Sequence, residues 1–252
     1  MDYRNELVAA QRAVAASEAT FRRYFGTRTD VRRKRGNPRD IVSYADKKIE
    51  HDIRGFLLKR FPHHGFVGEE GDDVRAHARF VWAIDPIDGT SNYVQGEKAC
   101  AICVGLLDRS RPCVGVVAAP MAGEWFAARR AGGATLNGKR IAVVKKRGIE
   151  GAFTAFGWGH DRVLGRWMFG KLLGRVYKLR VVGSAALSLC YVARGTYDAA
   201  VLKDMKIWDY AAAEVIVRES GGVLLPVGRS DILVAANKPL AKRFCSFLKT
   251  PS

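Results

Sequence analysis

A chain of 252 residues, 48% of them hydrophobic, is long enough to bury a sizeable core, which excludes disordered and fibrous classes. Lysine and arginine outnumber aspartate and glutamate by 42 to 25, for a formal net charge of +17, which suits an anionic partner: a nucleic acid, or small acidic molecules drawn by the field. No apolar run reaches the roughly 20 residues of a membrane helix, and the N-terminal MDYRNELVAAQRAV is amphipathic rather than a signal peptide, so no membrane association and a cytoplasmic location are expected.

Apolar residues at helical spacing predict a first helix over 6–25. A dense basic run follows, RTDVRRKRGNPRD, in a loop without interleaved aromatics. It reads as a solvated basic surface, so nucleic acid is expected to bind weakly and without sequence preference. A second helix starts near Ser43, with Ile49, Ile53, Phe56 and Leu57 on one face and Pro62 beyond its end. Residues 65–68 form a short strand, and FVWAID a second that should stop at Pro86. His63 and His64 read as loop polarity, since no acid is spaced to complete a zinc set. ACAICVGLLD, RPCVGVVAAP and GEWFAAR then read as an antiparallel meander.

Cys100 and Cys103 lie three apart in the first of these strands. Period-two alternation sets them on opposite faces, against a shared metal, and the odd count of five cysteines among apolar neighbours suits reduced thiols. From about residue 144 the character changes. Helices are predicted at 165–173, 185–193 and 209–220, between strands at Thr154, Val181, Ala199, Val223 and Ile232. A soft boundary near 148 divides an α+β part, 1–147, from an α/β part, 148–252.

The stretch WAIDPIDGTSNY (82–93) sets two aspartates three apart around a proline, just where an apolar strand ends. If Asp88 returns beside Asp85, the pair can hold two cations. Asp85 would bridge them, the Ile87 carbonyl would add a neutral oxygen, and all donors would be of the hard kind magnesium prefers. Gly89 permits close backbone approach, and N–H groups at Gly89 and Thr90 would meet a phosphate. The alternative is an Asx-type turn whose acids cap backbone groups. Glu69 and Glu70 in FVGEEG follow a short strand, and Asp209 in KIWDYAAAE opens a helix, where it also reads as an N-cap.

Taken together, GEE (68–70), DPIDGTSNY (85–93), WDYAAAE (208–214), VAAN (234–237) and DIVSYAD (40–46) resemble, in order and spacing, the inositol monophosphatase family. That family lies within the magnesium-dependent, lithium-sensitive sugar phosphatases. The resemblance implies an α/β (α+β) fold, a layered αβαβα sandwich of helix layers and two β-sheets. It also implies a homodimer that hydrolyses phosphate monoesters with two to three Mg2+ ions per site. Carried over residue by residue, Glu69, Asp85 and the Ile87 carbonyl would hold the first metal. Asp85, Asp88 and Asp209 would hold the second, and Glu69 would help hold a weak third.

Asp46 with Thr90 would orient the attacking water, so Thr90, Asp46 and Glu69 form the expected catalytic set. Gly89 and Thr90 would bind the phosphate, and Asp88, Gly183, Ser184, Ala185 and Asp209 the rest of the substrate. The basic loop places Lys34 or Arg35 where the family has a lysine near the third metal. In one respect the chain departs from the family: Leu202 stands where inositol phosphatases carry a polyol-gripping glutamate, with Lys203 and Asp204 nearby.

Three functions are consistent with these residues. The first is a magnesium-dependent phosphatase of inositol monophosphate or a related sugar phosphate. The second keeps the mechanism with fructose 1,6-bisphosphate, histidinol phosphate or a 3′-phosphonucleotide as the small anionic substrate. The third is a basic nucleic-acid or protein-binding module on a phosphatase scaffold, which would have been free to lose the metal-site residues that are all present.

Overall fold

The computed structural model describes residues 2–27, 32–33, 41–159, 161–228 and 230–249. The expectations placed on Lys34 and Arg35 of the basic loop and on Asp40 lie outside the described residues. Five layers stack as αβαβα. The outer layer is α1 (Arg4–Tyr24) and α2 (Tyr44–Arg60). Below it lies a seven-stranded sheet of β3 (Gly65–Gly68), β4 (Phe80–Asp88), β5 (Ala101–Asp108), β6 (Arg111–Ala119), β7 (Glu124–Arg129), β8 (Gly133–Leu136) and β9 (Lys139–Arg140), in that spatial order. Two short strands, β1 (Arg32–Arg33) and β2 (Ile41–Val42), pair with each other ahead of α2.

The central helices are α5 (Ala185–Ala193) and α6 (Ile207–Glu219). Beneath them lies a five-stranded sheet in the order β11 (Lys178–Arg180), β10 (Phe153–Gly157), β12 (Ala199–Lys203), β14 (Ile232–Ala236), β13 (Val223–Pro226). Helices α4 (Arg162–Leu173) and α7 (Lys238–Phe247) close the other side.

Period-two alternation explains the layering. In β5, Ile102, Val104 and Leu106 face the α1/α2 layer, while Ala101 and Cys103 face the central helices. In β12, Ala200 and Leu202 face the centre, while Ala199 and Val201 face α4 and α7. Both faces of each strand are covered, which is why these strands read as nearly continuous apolar runs. Cys100 and Cys103 accordingly belong to different cores, and all five cysteines carry free thiols.

Helix α6 lies unusually close to the first sheet. Gly105 and Gly115 are cross-strand partners, and a Cβ built on Gly115 would sit 2.0 Å from the Ala212 carbonyl oxygen. The paired glycines thus open a groove that seats the backbone of Ala211 and Ala212.

Two expectations change. The strand through Ile84 does not stop at Pro86: β4 runs to Asp88, and its pairing with β5 slips between Asp85, opposite Cys103, and Asp88, opposite Ala101. Between these pairs two residues, Pro86 and Ile87, oppose one, Ile102, a one-residue bulge, and a bulge tolerates the proline that a regular ladder would reject. Past Gly89 the chain forms α3 (Thr90–Gln95), six residues long. His64 is no surface polarity. It stacks on Phe61 at 4.7 Å and leans on Phe80 and Trp82, where burial lowers its pKa to about 4.

Candidate active site

The bulge in β4 decides the site's geometry. In a regular strand Asp85 and Asp88, three apart, would point to opposite faces; one extra residue between them returns both to the same side. Both line a cavity of about 540 Å³, together with Glu69 at the end of β3, Thr90 at the start of α3 and Asp209 on α6. Ile87, Gly89, Gly183, Ser184 and Ala185 line it too, so these residues converge from the first sheet and from α3, α5 and α6, while Asp46 of α2 is not among the lining residues. Glu70 does not line it.

Two of the acids are mounted alike. Asp46 and Asp209 each occupy the third residue of a helix and reach back to the N–H of the residue before it: Ser43 donates to Asp46 at 2.8 Å, Lys206 to Asp209 at 2.7 Å. This is the reciprocal half of a capping box, so Asp209 is an interior first-turn acid rather than the N-cap itself. The Asp46 Oδ2 also accepts from the Ser43 hydroxyl at 2.5 Å, which leaves Oδ1 facing the Thr90 hydroxyl at 3.5 Å. Thr90 Oγ1 donates to the Ile87 carbonyl at 3.0 Å.

Asp88 bridges the two halves of the chain. It accepts from the Ser184 hydroxyl and from the N–H groups of Ala185 at 3.1 Å and Ala186 at 2.9 Å, capping α5. The donors of the 183–185 loop are therefore engaged by an acid of the opposite sheet. A Cβ on Gly89 would lie 3.0 Å from the carbonyl oxygens of both Ala99 and Gly183, and its φ is +84°, so only glycine fits where these segments meet. Tyr93 fixes α3 from behind, donating to the Phe21 carbonyl at 2.7 Å and packing edge-on against that ring.

Electrostatics mark the cluster as uncompensated. Burial, then repulsion from Glu69, Asp88 and Asp209, pushes the Asp85 carboxyl well above the usual range. Burial raises Asp88 to about 6 against three hydrogen bonds that lower it, and raises Asp209 to about 7, with Asp88 and Glu69 adding repulsion. Asp46 is pushed up to about 7, chiefly by burial. Among the described residues no three His, Cys, Asp or Glu side chains close tightly enough on one point to hold an ion in this conformation. The reason is visible: Asp46, Asp88 and Asp209 are each turned toward backbone donors. The donor set is nonetheless hard oxygen throughout, and its mutual repulsion is of the kind a divalent cation relieves.

Residues 2–248 match the profile of the inositol monophosphatase family. The chain belongs to that family. It is 35% identical over 242 residues to the fructose-1,6-bisphosphatase/inositol-1-monophosphatase of Aquifex aeolicus, covering 93% of this chain and 91% of that one. It is 35% identical over 197 residues to the Nus factor SuhB of Pseudomonas aeruginosa, covering 74% and 72%. The solved structure of the inositol monophosphatase from Anabaena (Nostoc) superposes with a TM-score of 0.87 at 26% identity, covering 98% and 96%. Membership supports a phosphatase activity for this inositol monophosphatase family chain, and the family is metal-dependent as a group. No described helix is long and apolar enough to cross a membrane.

Sequence reading missed one support of the site in this family member. Glu50 of α2, 2% exposed, accepts from the N–H groups of Glu70 and Gly71, each at 2.9 Å, and pairs with Arg54 at 2.7 Å. Arg54 in turn donates to the Asp72 carbonyl at 2.7 Å. The pair holds the loop that carries Glu69. A glutamate four residues before an arginine ordinarily reads as an exposed helix pair, so the only sequence signal was its nearness to the buried face of Ile49 and Ile53.

Proposed function

We propose that this chain is a magnesium-dependent phosphomonoesterase in which Glu69, Asp85, Asp88, Asp209 and the Ile87 carbonyl hold two to three ions, Asp85 being shared. The observation that carries this reading is the convergence of these acids in one cavity, where burial and mutual repulsion raise the Asp85 carboxyl well above its usual range. When bound, such ions would neutralise the phosphate oxygens, acidify a water and stabilise the leaving alkoxide.

The chain's own groups do the rest. Asp46, fixed through one oxygen by Ser43, presents the other to Thr90, and together they orient the attacking water. With its carboxyl raised to about 7, Asp46 can take a proton near neutral pH. Gly89 and Thr90 bring backbone N–H groups to the phosphate. The 183–185 loop, with Asp88 and Asp209, meets the alcohol. A homodimer, lithium sensitivity and a cytoplasmic location belong to the same reading.

The test is phosphate release from a panel of monoesters, inositol 1-phosphate and fructose 1,6-bisphosphate among them, with magnesium and with EDTA. Release that requires magnesium is expected, and release unaffected by EDTA would remove the metal reading. Thr90→Ala should lower kcat more than KM, because it disturbs the water rather than the phosphate. An unchanged kcat would leave Thr90 a backbone role only.

The likeness to a Nus factor SuhB and the basic composition favour a second reading, a polyanion or protein partner for the same scaffold. RNA binding that survives 200 mM salt would support it, whereas binding that vanishes there would be a general charge effect.

A further inference from the structure

We propose that the wall of the cavity opposite the carboxylates receives a flat, apolar part of the substrate's alcohol, stacked on Trp158. The preferred monoester would then carry an aromatic or similarly planar group rather than a polyhydroxylated ring, an assignment that rests on the phosphatase reading.

Trp158 follows directly on β10 and lines the cavity, with 37% of its surface exposed. Its ring stacks on the buried Phe156 at 5.6 Å and 30°, so one side of the indole is supported by the core. Helix α4 seats against its root: a Cβ on Gly165 would lie 2.7 Å from Trp158 Cβ and 2.9 Å from Cγ. Leu202, Met205 and Val181 continue the same wall, and Val181 is 55% exposed. Leu202 is only 3% exposed and turns its side chain toward the central core.

Several polar groups along this wall are already engaged, although the Arg162 side chain also lines the cavity. Ser188 donates to the Ser184 carbonyl at 2.7 Å. Lys203 pairs with Asp231 at 2.9 Å and Asp161 at 3.5 Å, and the Asp204 carboxylate lies 4.0 Å from the Lys206 ammonium. A ring of hydroxyls stacked on the indole itself would leave water for a surface that offers no hydrogen-bond partners, with Arg162 and Asp204 only at its margin. A flat apolar group would bury its surface against a fixed indole at little ordering cost. A cavity of about 540 Å³ is within the range of small-ligand sites and leaves room for such a group beyond the phosphate.

The deciding experiment compares kcat/KM for 2-phenylethyl phosphate, ethyl phosphate and inositol 1-phosphate in magnesium. The first two leave as similar primary alcohols and differ in the ring. The natural protein should favour the phenylethyl ester over both others by about tenfold. Trp158→Ser should erase most of the phenylethyl-to-ethyl ratio, and Trp158→Phe should retain it. Equal or better turnover of inositol 1-phosphate, or a Trp158→Ser loss shared equally by the two alkyl esters, overturns the proposal. Should Trp158→Ser not fold by circular dichroism, Trp158→Leu, apolar but not flat, makes the same comparison. If no ester releases phosphate, the phosphatase reading falls, and calorimetry with 2-phenylethylphosphonate and ethylphosphonate decides this one. Tenfold tighter binding of the phenyl compound sustains it; equal or unmeasurable affinity overturns it.

Discussion

The two sides of the cavity are built by opposite means. On the phosphate side, acids are buried, mutually repelling and held through backbone N–H groups at helix starts and at a strand bulge. On the side proposed for the alcohol, Trp158 and Val181 present apolar surface, Trp158 being held by packing on the buried Phe156, and Lys203 is paired with Asp231. The first side stores electrostatic cost that a cation would relieve; the second offers shape and hydrophobic gain. On the proposed function, chemistry and selectivity are therefore physically separable in this molecule.

Substitutions on the acid side should show the separation most strongly. Asp85→Asn keeps the shape and removes the carboxylate on which repulsion from Glu69, Asp88, Asp209 and Asp46 converges, so hydrolysis should fall by at least about 10³-fold while the fold persists. Phosphate release and circular dichroism measure the two halves of that statement, and near-normal turnover would mean the carboxylates are structural. Glu50→Gln acts one step back, through the loop bearing Glu69. It should weaken metal affinity by about 10–100-fold without touching the phenylethyl-to-ethyl ratio. A shift of that ratio instead would show that the two sides are coupled.

The smallest effect is one of pH. Asp46, Asp85, Asp88 and Asp209 all have folded pKa values raised above the ordinary 3.8, so the native state binds more protons than the unfolded one as pH climbs above about 4. By linkage, stability of the metal-free protein falls with rising pH across that window, most of it before the folded values of about 6 to 7 are passed. Thermal scans in EDTA should therefore give a lower Tm at pH 8 than at pH 5.5, at about 2–4 °C per kcal/mol for a chain of this size. Magnesium should raise Tm more at pH 8. A Tm in EDTA that rises over this range would show that the acids are compensated by charges elsewhere.

Much of the acid side was legible because its geometry is local. Ser43 three residues before Asp46 is a capping-box spacing, and helix α5 runs over 185–193 as its periodicity predicts. What failed there was non-local. Pro86 reads as a terminator because a bulge is defined by the partner strand, and Glu50 reads as a surface pair because its acceptor role depends on a loop twenty residues on. The alcohol wall was hardly legible at all. Trp158, Gly165 and Leu202 come from a strand end, a helix and a second strand that meet only after the sheet has formed. The family likeness supplied a glutamate position to compare, and could show that Leu202 departs from it, but not what fills the space.

The facing glycines of β5 and β6 have a consequence well away from the sheet. Their missing methyl groups set how deeply α6 sinks, and α6 carries Asp209 two residues before the contact. Adding one carbon at Gly115, where 2.0 Å separates it from the Ala212 oxygen, must lift that helix by more than an ångström, and with it one carboxylate relative to the others. Misplacement on that scale is enough to cost on the order of 10²-fold in rate. The alignment gauge of this catalyst is thus a pair of hydrogen atoms in the floor of a sheet, where a protein engineer searching for tolerant positions would see only two small residues touching no ligand.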